Sequence, residues 1–119
     1  MAQRADRLQA LQQRLERFRD ERDWSQFHTL KDLAAAIAVE AGELQELFLW
    51  QRPADERALL ARRRPEIEDE LADVLIHCLN FASAGDIDVI RAIERKIETN
   101  EQRYPADLAR GSSEKHTQL

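Results

Sequence analysis

Glu40-Ala41-Gly42-Glu43-Leu44-Gln45-Glu46 is the stretch from which the rest of the chain can be interpreted. On a helix that turns by about 100° per residue, Glu40 and Glu43 lie about 60° and 120° to one side of Ile37, at the margin of an apolar stripe. Glu46 falls on the opposite side, where we expect it to be solvated or at a subunit contact. The segment therefore predicts a helix that carries a pair of carboxylates beside its buried face.

A second stretch, Glu70-Leu71-Ala72-Asp73, repeats this arrangement relative to Ile67. Two such helices packed side by side would bring four carboxylates to one edge. Mg²⁺ prefers oxygen ligands and can in turn hold a polyphosphate, so the matched register indicates a metal site. The alternative is that both pairs are ordinary solvent-exposed faces, as most such pairs on helices are.

The composition indicates one small helical domain. The chain has 119 residues with only three Gly and three Pro, 43% hydrophobic and 34% charged side chains, and a net charge of −5. The small number of Gly and Pro residues favours an all-α fold. A chain of this length is expected to complete its core by oligomerising. The negative charge argues against a nucleic acid polymer as partner. The single Cys78 favours a reducing, cytoplasmic setting, and we expect no signal peptide and no membrane span.

Apolar periodicity and helix-end signals predict the order of the elements. A first helix covers 3–22, a second 29–50, a short one 54–64, a third long helix 65–84 and a fourth 87–104. Thr29 is a suitable N-cap for the second helix, and Pro65 suits the first turn of the third. We expect a four-helix-bundle-like domain over 1–110 and a polar C-terminal tail over 111–119, which its composition predicts to be flexible.

Three further features leave alternatives open. Trp24 and Phe27, beside His28, either plug one end of the bundle or form a platform on which a nucleobase stacks. His77 follows Asp73 by one turn and could approach the acidic residues, although a hydrogen-bonded histidine at the core edge is the simpler expectation. Asn100 falls on the apolar stripe of the last helix, where an amide needs a hydrogen-bond partner.

Four blocks of the sequence, in order, resemble the MazG-like family of all-α nucleoside triphosphate pyrophosphohydrolases, and within it the dCTP pyrophosphatase branch. The blocks are Glu-Arg-Asp-Trp-Ser-Gln-Phe-His (21–28), Glu-Ala-Gly-Glu-Leu-Gln-Glu-Leu-Phe-Leu-Trp (40–50), Glu-Leu-Ala-Asp-Val-Leu-Ile (70–76) and Lys-Ile-Glu-Thr-Asn-Glu-Gln-Arg-Tyr-Pro (96–105). The likeness covers nearly the whole chain. It implies four-helix packing and a tetramer whose sites lie between subunits.

The resemblance also implies an activity and a set of site residues. The activity is Mg²⁺-dependent hydrolysis of a deoxynucleoside triphosphate, best dCTP or a modified dCTP, to the monophosphate and pyrophosphate, as nucleotide-pool house-cleaning. The implied metal and catalytic residues are Glu40, Glu43, Glu70 and Asp73. Those implied for phosphate or sugar are Lys96, Asn100, Arg103 and Tyr104, and those for the base are Trp24, His28 and Trp50.

One position departs from the resemblance. Leu15 stands where animal relatives that prefer dCTP carry a histidine in the first helix. The loss of a polar group near the sugar or base could change the preferred base, so dUTP or another non-standard triphosphate is an alternative substrate. A non-catalytic helical interaction module is the alternative outside enzymes, and it would leave the register of the two acidic pairs to chance.

Overall fold

The computed structural model describes the backbone of residues 2–119 and the side chains from residue 7 onward. Over that range the chain is helical and contains no strand, so the prediction of an all-α fold is confirmed. The α-helices are α1 (Ala2–Glu21), α2 (Leu30–Phe48), α3 (Glu56–Arg62), α4 (Arg64–Ala84), α5 (Val89–Arg103) and α6 (Ala106–Ala109). Short 3₁₀ turns cover Ser25–Phe27, Pro53–Asp55 and His116–Gln118.

The chain divides into two compact units, Met1–Asp86 and Ile87–Leu119. In the first unit, α2 packs along α4 in the largest helix–helix interface, and both α1 and α3 also pack against α4. The helix α4 is therefore the element around which the first unit is built.

The ends of α2 follow from local chemistry. The backbone N–H of Asp32 donates to the Thr29 hydroxyl at 3.1 Å, which caps the helix start as predicted. The last helical residue is Phe48, two residues before the predicted end. Leu49 is extended, and Trp50 adopts a left-handed backbone with φ +66°. A bulky residue in that region is strained by roughly 1–3 kcal/mol.

The predicted short helix 54–64 is divided differently in the structure. Pro53–Asp55 form a 3₁₀ turn, α3 follows it, and Arg63 leaves helical geometry with φ −118° and ψ 29° before α4 begins. Leu59 on α3 is only 1% exposed. Burial of a leucine side chain stabilises the folded state by about 1.5–3 kcal/mol, so Leu59 stabilises the packing of α3 within the first unit.

The core of the first unit is small. Its buried apolar side chains, among those described, are Leu33, Leu59, Ile67 and Ala82. An apolar groove of about 490 Å³ runs between α1 and α4, and we call it the α1–α4 groove. It is lined mostly by leucines and other apolar side chains, namely Leu8, Leu11, Leu15, Phe18, Ala72, Leu75, Ile76 and Leu79, together with Arg14. About half of the Leu11 and Leu75 surfaces is exposed.

In the second unit, α5 begins at an Asp88 cap, whose side-chain Oδ1 accepts from the N–H of Arg91 at 3.1 Å. Pro105 follows the end of α5, and α6 comes directly after it. The polar tail includes the 3₁₀ turn His116–Gln118, and the His116 ring meets the Tyr104 ring edge-on, with centroids 5.8 Å apart. Among the described residues, no helix has the length and apolar character needed to span a membrane.

Candidate functional site

Three of the predicted metal ligands meet where α2 packs on α4. Glu40 and Glu43 project from α2 and Glu70 from α4, and one carboxylate oxygen of each lies within 4.8 Å of the others. We call these three residues the acidic cluster. Asp73, the fourth predicted ligand, lies one turn after Glu70 and does not belong to this tight group among the side chains from residue 7 onward. Its charge nevertheless reaches Glu40 and Glu70.

The electrostatics of the acidic cluster are unfavourable without a cation. Partial burial raises the pKa of Glu40, and the Glu43 carboxyl and then Asp73 raise it further. Partial burial likewise raises the pKa of Glu70, followed by Glu43, Glu40 and Asp73. The Oε2 atoms of Glu40 and Glu70 are buried, and neither has a hydrogen-bond partner in the described part of the chain.

These properties fit a hard divalent cation. Buried polar atoms are nearly always paired, so two unpaired carboxylate oxygens facing one cluster indicate a missing partner. Carboxylate oxygens from two helices are the ligands that such a cation takes. A bound cation would also offset the mutual repulsion that raises the two pKa values. The donor set of the acidic cluster is therefore suited to a divalent metal.

His77 reaches the acidic cluster. Its Nε2 lies 3.7 Å from Glu40 Oε1, which is too long for a hydrogen bond. Its Nδ1 is buried and unpartnered among the described residues. The expectation of a hydrogen-bonded histidine at the core edge was therefore wrong, and the alternative, that His77 approaches the acidic residues, is correct.

A cavity of about 330 Å³ lies between α1, the 24–28 segment and α4, and we call it the aromatic cavity. Trp24 and His28, both predicted for base binding, line it. Its other lining residues are Leu15, Phe18, Arg19, Ile76, His77 and Asn80. His77 belongs to this lining and also contacts Glu40, so the cavity adjoins the acidic cluster.

The walls of the aromatic cavity are held by ring contacts. The Trp24 and Phe18 rings meet edge to face with centroids 5.7 Å apart, and the Arg22 guanidinium lies 3.7 Å from the Phe18 centroid. Trp24 keeps 45% of its surface exposed, which is unlike a buried plug.

Burial, then the charges of Arg19 and His77, lowers the pKa of His28. The lowered pKa favours the neutral form of His28, which can both donate and accept a hydrogen bond.

The structure does not bring all the predicted residues together. Trp50 is 91% exposed at the end of α2 and is absent from the lining of the aromatic cavity. The residues predicted to hold phosphate or sugar belong to the second unit, where they share one face of α5 and its C-cap. They are Lys96, Asn100, Arg103 and Tyr104, and their roles stay predictions.

Four cavity residues were missed in the sequence, namely Phe18, Arg19, Ile76 and Asn80. Phe18 lies at the apolar spacing of the first helix, which is typical of core packing, and Arg19 lies among its charged residues, which is typical of a solvated face. Asn80 had a readable signal, because it follows Asp73 by seven residues and His77 by three. Those spacings put all three on one face of a helix.

An all-helical fold that pairs carboxylates across two packed helices is suited to holding a cation but does not define a single activity. The match to a family model is more specific. Residues 35–119 match the MazG-like family, and that range includes the whole acidic cluster. The chain belongs to the MazG-like family, as its four sequence blocks predicted.

Similar proteins with assigned names agree with this membership. The chain is 43% identical over 104 residues to dCTP pyrophosphatase 1 of Rattus norvegicus, and 41% identical over 104 residues to that of Homo sapiens. Each match covers 86% of this chain and 61% of the relative, so the chain spans less than two thirds of these relatives' length. A crystal structure of a pyrophosphatase from Archaeoglobus fulgidus superposes with a TM-score of 0.79 at 44% identity, covering 83% of this chain and 93% of that one.

Proposed function

We propose that this protein hydrolyses a deoxynucleoside triphosphate, with dCTP or a modified dCTP preferred, to the monophosphate and pyrophosphate. The observation that carries the proposal is the acidic cluster, with its two unpaired buried oxygens, next to the aromatic cavity. The names of the similar proteins, dCTP pyrophosphatase 1 and a pyrophosphatase, support it. A role in clearing unwanted nucleotides from the cytoplasm follows from this activity.

The reaction consumes one water molecule. The water oxygen bonds to one of the two phosphorus atoms that flank the cleaved anhydride oxygen, the anhydride oxygen leaves on the other, and a proton is released. The carboxylates of Glu40, Glu43, Glu70 and Asp73 would hold Mg²⁺. Bound Mg²⁺ supplies charge neutralisation and polarisation of phosphoryl oxygens. Glu43 is the exposed member of the cluster, so its carboxylate is open to solvent water and to substrate.

The remaining predicted residues have complementary chemistry. Lys96 and Arg103 offer cationic donors for phosphate oxygens, and Asn100 and Tyr104 offer neutral donors for phosphate or sugar. Trp24 presents an aromatic face for the base, beside His28, whose lowered pKa favours its neutral form. Each of these roles belongs to the proposal.

One observation favours a different base from cytosine as the preferred one. Leu15, which replaces a histidine of relatives that prefer dCTP, lines the aromatic cavity. An apolar side chain there removes a hydrogen-bonding group from the base end, which favours a different base such as uracil. Hydrolysis of dUTP or another non-standard triphosphate is therefore the second candidate.

We further propose that the working form is a homotetramer. The α1–α4 groove exposes about half of Leu11, Phe18 and Leu75, and a second copy of the chain would bury it. Trp50 would then join the aromatic cavity of a neighbouring subunit. Light scattering tests this, because a stable monomer would contradict sites that are shared between subunits. Leu75→Glu should lower the measured mass, whereas Glu68→Gln, at an exposed position of the same helix, should not.

The activity is tested by incubating the protein with Mg²⁺ and each deoxynucleoside triphosphate, including dUTP and 5-methyl-dCTP, and measuring pyrophosphate. We expect turnover that depends on Mg²⁺ and is highest for dCTP or its modified form. A clear preference for dUTP would favour the second candidate. The absence of turnover with every triphosphate would favour a non-catalytic helical module.

A further inference from the structure

We propose that Asn80 selects pyrimidines at the site, by pairing its carboxamide with the polar edge of the base inside the aromatic cavity. This inference rests on the proposed function, because it assigns a residue to the base end of that site. Asn80 is named by neither the acidic motif nor the four sequence blocks.

The Asn80 side chain is available for a ligand. It lines the aromatic cavity and is partly buried, and it makes no side-chain hydrogen bond to any residue from 7 onward. In contrast, the hydroxyl of Ser83, three residues further along α4, already has two hydrogen-bond partners. It donates to Glu16 and accepts from Gln12, each at 3.0 Å. The amide of Asn80 is therefore free to form hydrogen bonds with a base bound in the cavity.

The position of Asn80 along α4 suits the base of a triphosphate. Glu70, Asp73, His77 and Asn80 follow one another at spacings of three, four and three, and so form one polar row on α4. At 1.5 Å per residue, Asp73 and Asn80 are about 10 Å apart along the helix axis. A nucleotide with its phosphates at the acidic cluster would therefore extend its base toward Asn80.

His28 and His77 each have a buried Nδ1 that is unpaired within the described part of the chain, but none of the other lining side chains presents a free donor and a free acceptor side by side. Leu15, Phe18 and Ile76 have no polar side-chain atom. Arg19 donates to Asp20 at 2.8 Å. The side of His77 that carries Nε2 faces Glu40. His28 and Asn80 remain, and a carboxamide presents its donor and acceptor in one plane.

A carboxamide complements a pyrimidine edge. Oδ1 of Asn80 accepts from the 4-amino group of cytosine while Nδ2 donates to N3, the same kind of two-point contact by which asparagine reads adenine. Turned over, the amide pairs with N3–H and O4 of uracil. Asn80 thus selects a paired donor and acceptor, and the apolar and aromatic walls around it select a flat ring.

The test is Asn80→Leu, which keeps the approximate shape and removes both hydrogen bonds. We expect kcat/KM for the preferred triphosphate to fall about 10- to 100-fold, the range for a buried polar group left unpaired. The ratio between the best and worst triphosphates should shrink by a similar factor. Calorimetric titration with dCMP in EDTA should show the same weakening, whereas binding of pyrophosphate with Mg²⁺ should be unchanged.

Ser83→Ala is the matched control on the next turn of α4. It should lower the melting temperature and leave the ratios between triphosphates as they are, which is also how a merely structural Asn80 would behave. Should Asn80→Leu fold poorly, Asn80→Asp keeps the shape and removes the donor, and it must also change the ratios. Unchanged ratios in a folded variant overturn the inference while the proposed function stands. If the wild type hydrolyses no triphosphate, the proposed function fails, and the dCMP titration decides the role of Asn80 separately.

Discussion

The acidic cluster and the aromatic cavity are built in contrasting ways, although they share α4. The cluster comes from α2 and α4, which form the largest interface of the first unit, and two of its oxygens are buried. The cavity comes from α1, a short connecting segment and α4, and its main aromatic wall, Trp24, stays 45% exposed. The acidic cluster, where we propose that the phosphates bind, is thus set by close packing, whereas the aromatic cavity, where we propose that the base binds, is open to change by single side chains.

The largest effect should come from the acidic cluster. Glu40→Gln removes a negative charge from the cluster that we propose holds Mg²⁺, and metal stabilisation of phosphoryl transfer is worth several kcal/mol. We expect kcat/KM for every triphosphate to fall by at least about 100-fold. The thermal stabilisation by Mg²⁺ should be lost in the same variant.

Glu46→Gln is the control for that measurement, since Glu46 is exposed on the same helix outside the acidic cluster. It should keep both the activity and the effect of Mg²⁺ on the melting temperature. A Glu40→Gln protein that retains full turnover would refute the assignment of the cluster.

The base end should respond through KM. Stacking on an aromatic side chain contributes about 1–3 kcal/mol per base, so Trp24→Ala should raise KM about 10- to 100-fold. Trp50→Ala should also raise KM, yet leave the melting temperature unchanged because Trp50 is 91% exposed. Steady-state kinetics gives KM for both variants, and thermal denaturation gives their melting temperatures. Unchanged kinetics in Trp50→Ala would remove that residue from the base pocket.

The contribution of the acidic cluster to stability should depend on pH. The ordinary pKa of Glu70 is 4.5 and burial with neighbouring carboxylates raises it in the folded state. Between those two values the folded protein binds more protons than the unfolded one, so its stability in EDTA falls as pH rises through that window. Glu70→Gln should flatten this decline, and Mg²⁺ should oppose it.

Thermal denaturation in EDTA from pH 4.5 upward measures this decline. The matched comparison is Glu68→Gln, which removes a carboxylate from the exposed side of the same helix. A steeper decline in Glu70→Gln than in the wild type would contradict the raised pKa.

The smallest effect concerns the contact that holds α1 on α4. Ser83→Ala removes two hydrogen bonds, to Gln12 and Glu16, and should lower the free energy of unfolding by about 1–3 kcal/mol. Urea denaturation measures it. Since α1 carries one wall of the aromatic cavity, KM should rise modestly with kcat nearly intact, and the reverse pattern would place Ser83 closer to the reaction than the structure does.

Much of the helix layout was predictable because its signals are local. The Thr29 cap and Pro65 set the starts of α2 and α4 almost as expected. The predicted helix ends were wrong where the backbone leaves helical geometry, as at Trp50 and Arg63. The turn α6 was missed, since a four-residue helix has too little periodicity to be detected.

The parts of the candidate site that depend only on the face of a single helix could be predicted from the sequence. The angular positions of Glu40, Glu43 and Glu70 anticipated the acidic cluster, because each depends only on helix geometry. The aromatic cavity depends on how α1 and the 24–28 segment pack against α4, which involves contacts distant in sequence. Phe18 and Asn80 therefore became visible as neighbours only in three dimensions.

The uninterrupted course of α4 has a consequence for how this chain tolerates insertions and deletions. Adding one residue between Asp73 and His77 would rotate everything beyond it by about 100° and separate the polar row into two faces. Insertions near Gln51 or Arg52, which lie exposed between α2 and the Pro53–Asp55 turn, would leave that row intact. Length variation among related chains should therefore concentrate in that connection and avoid α4.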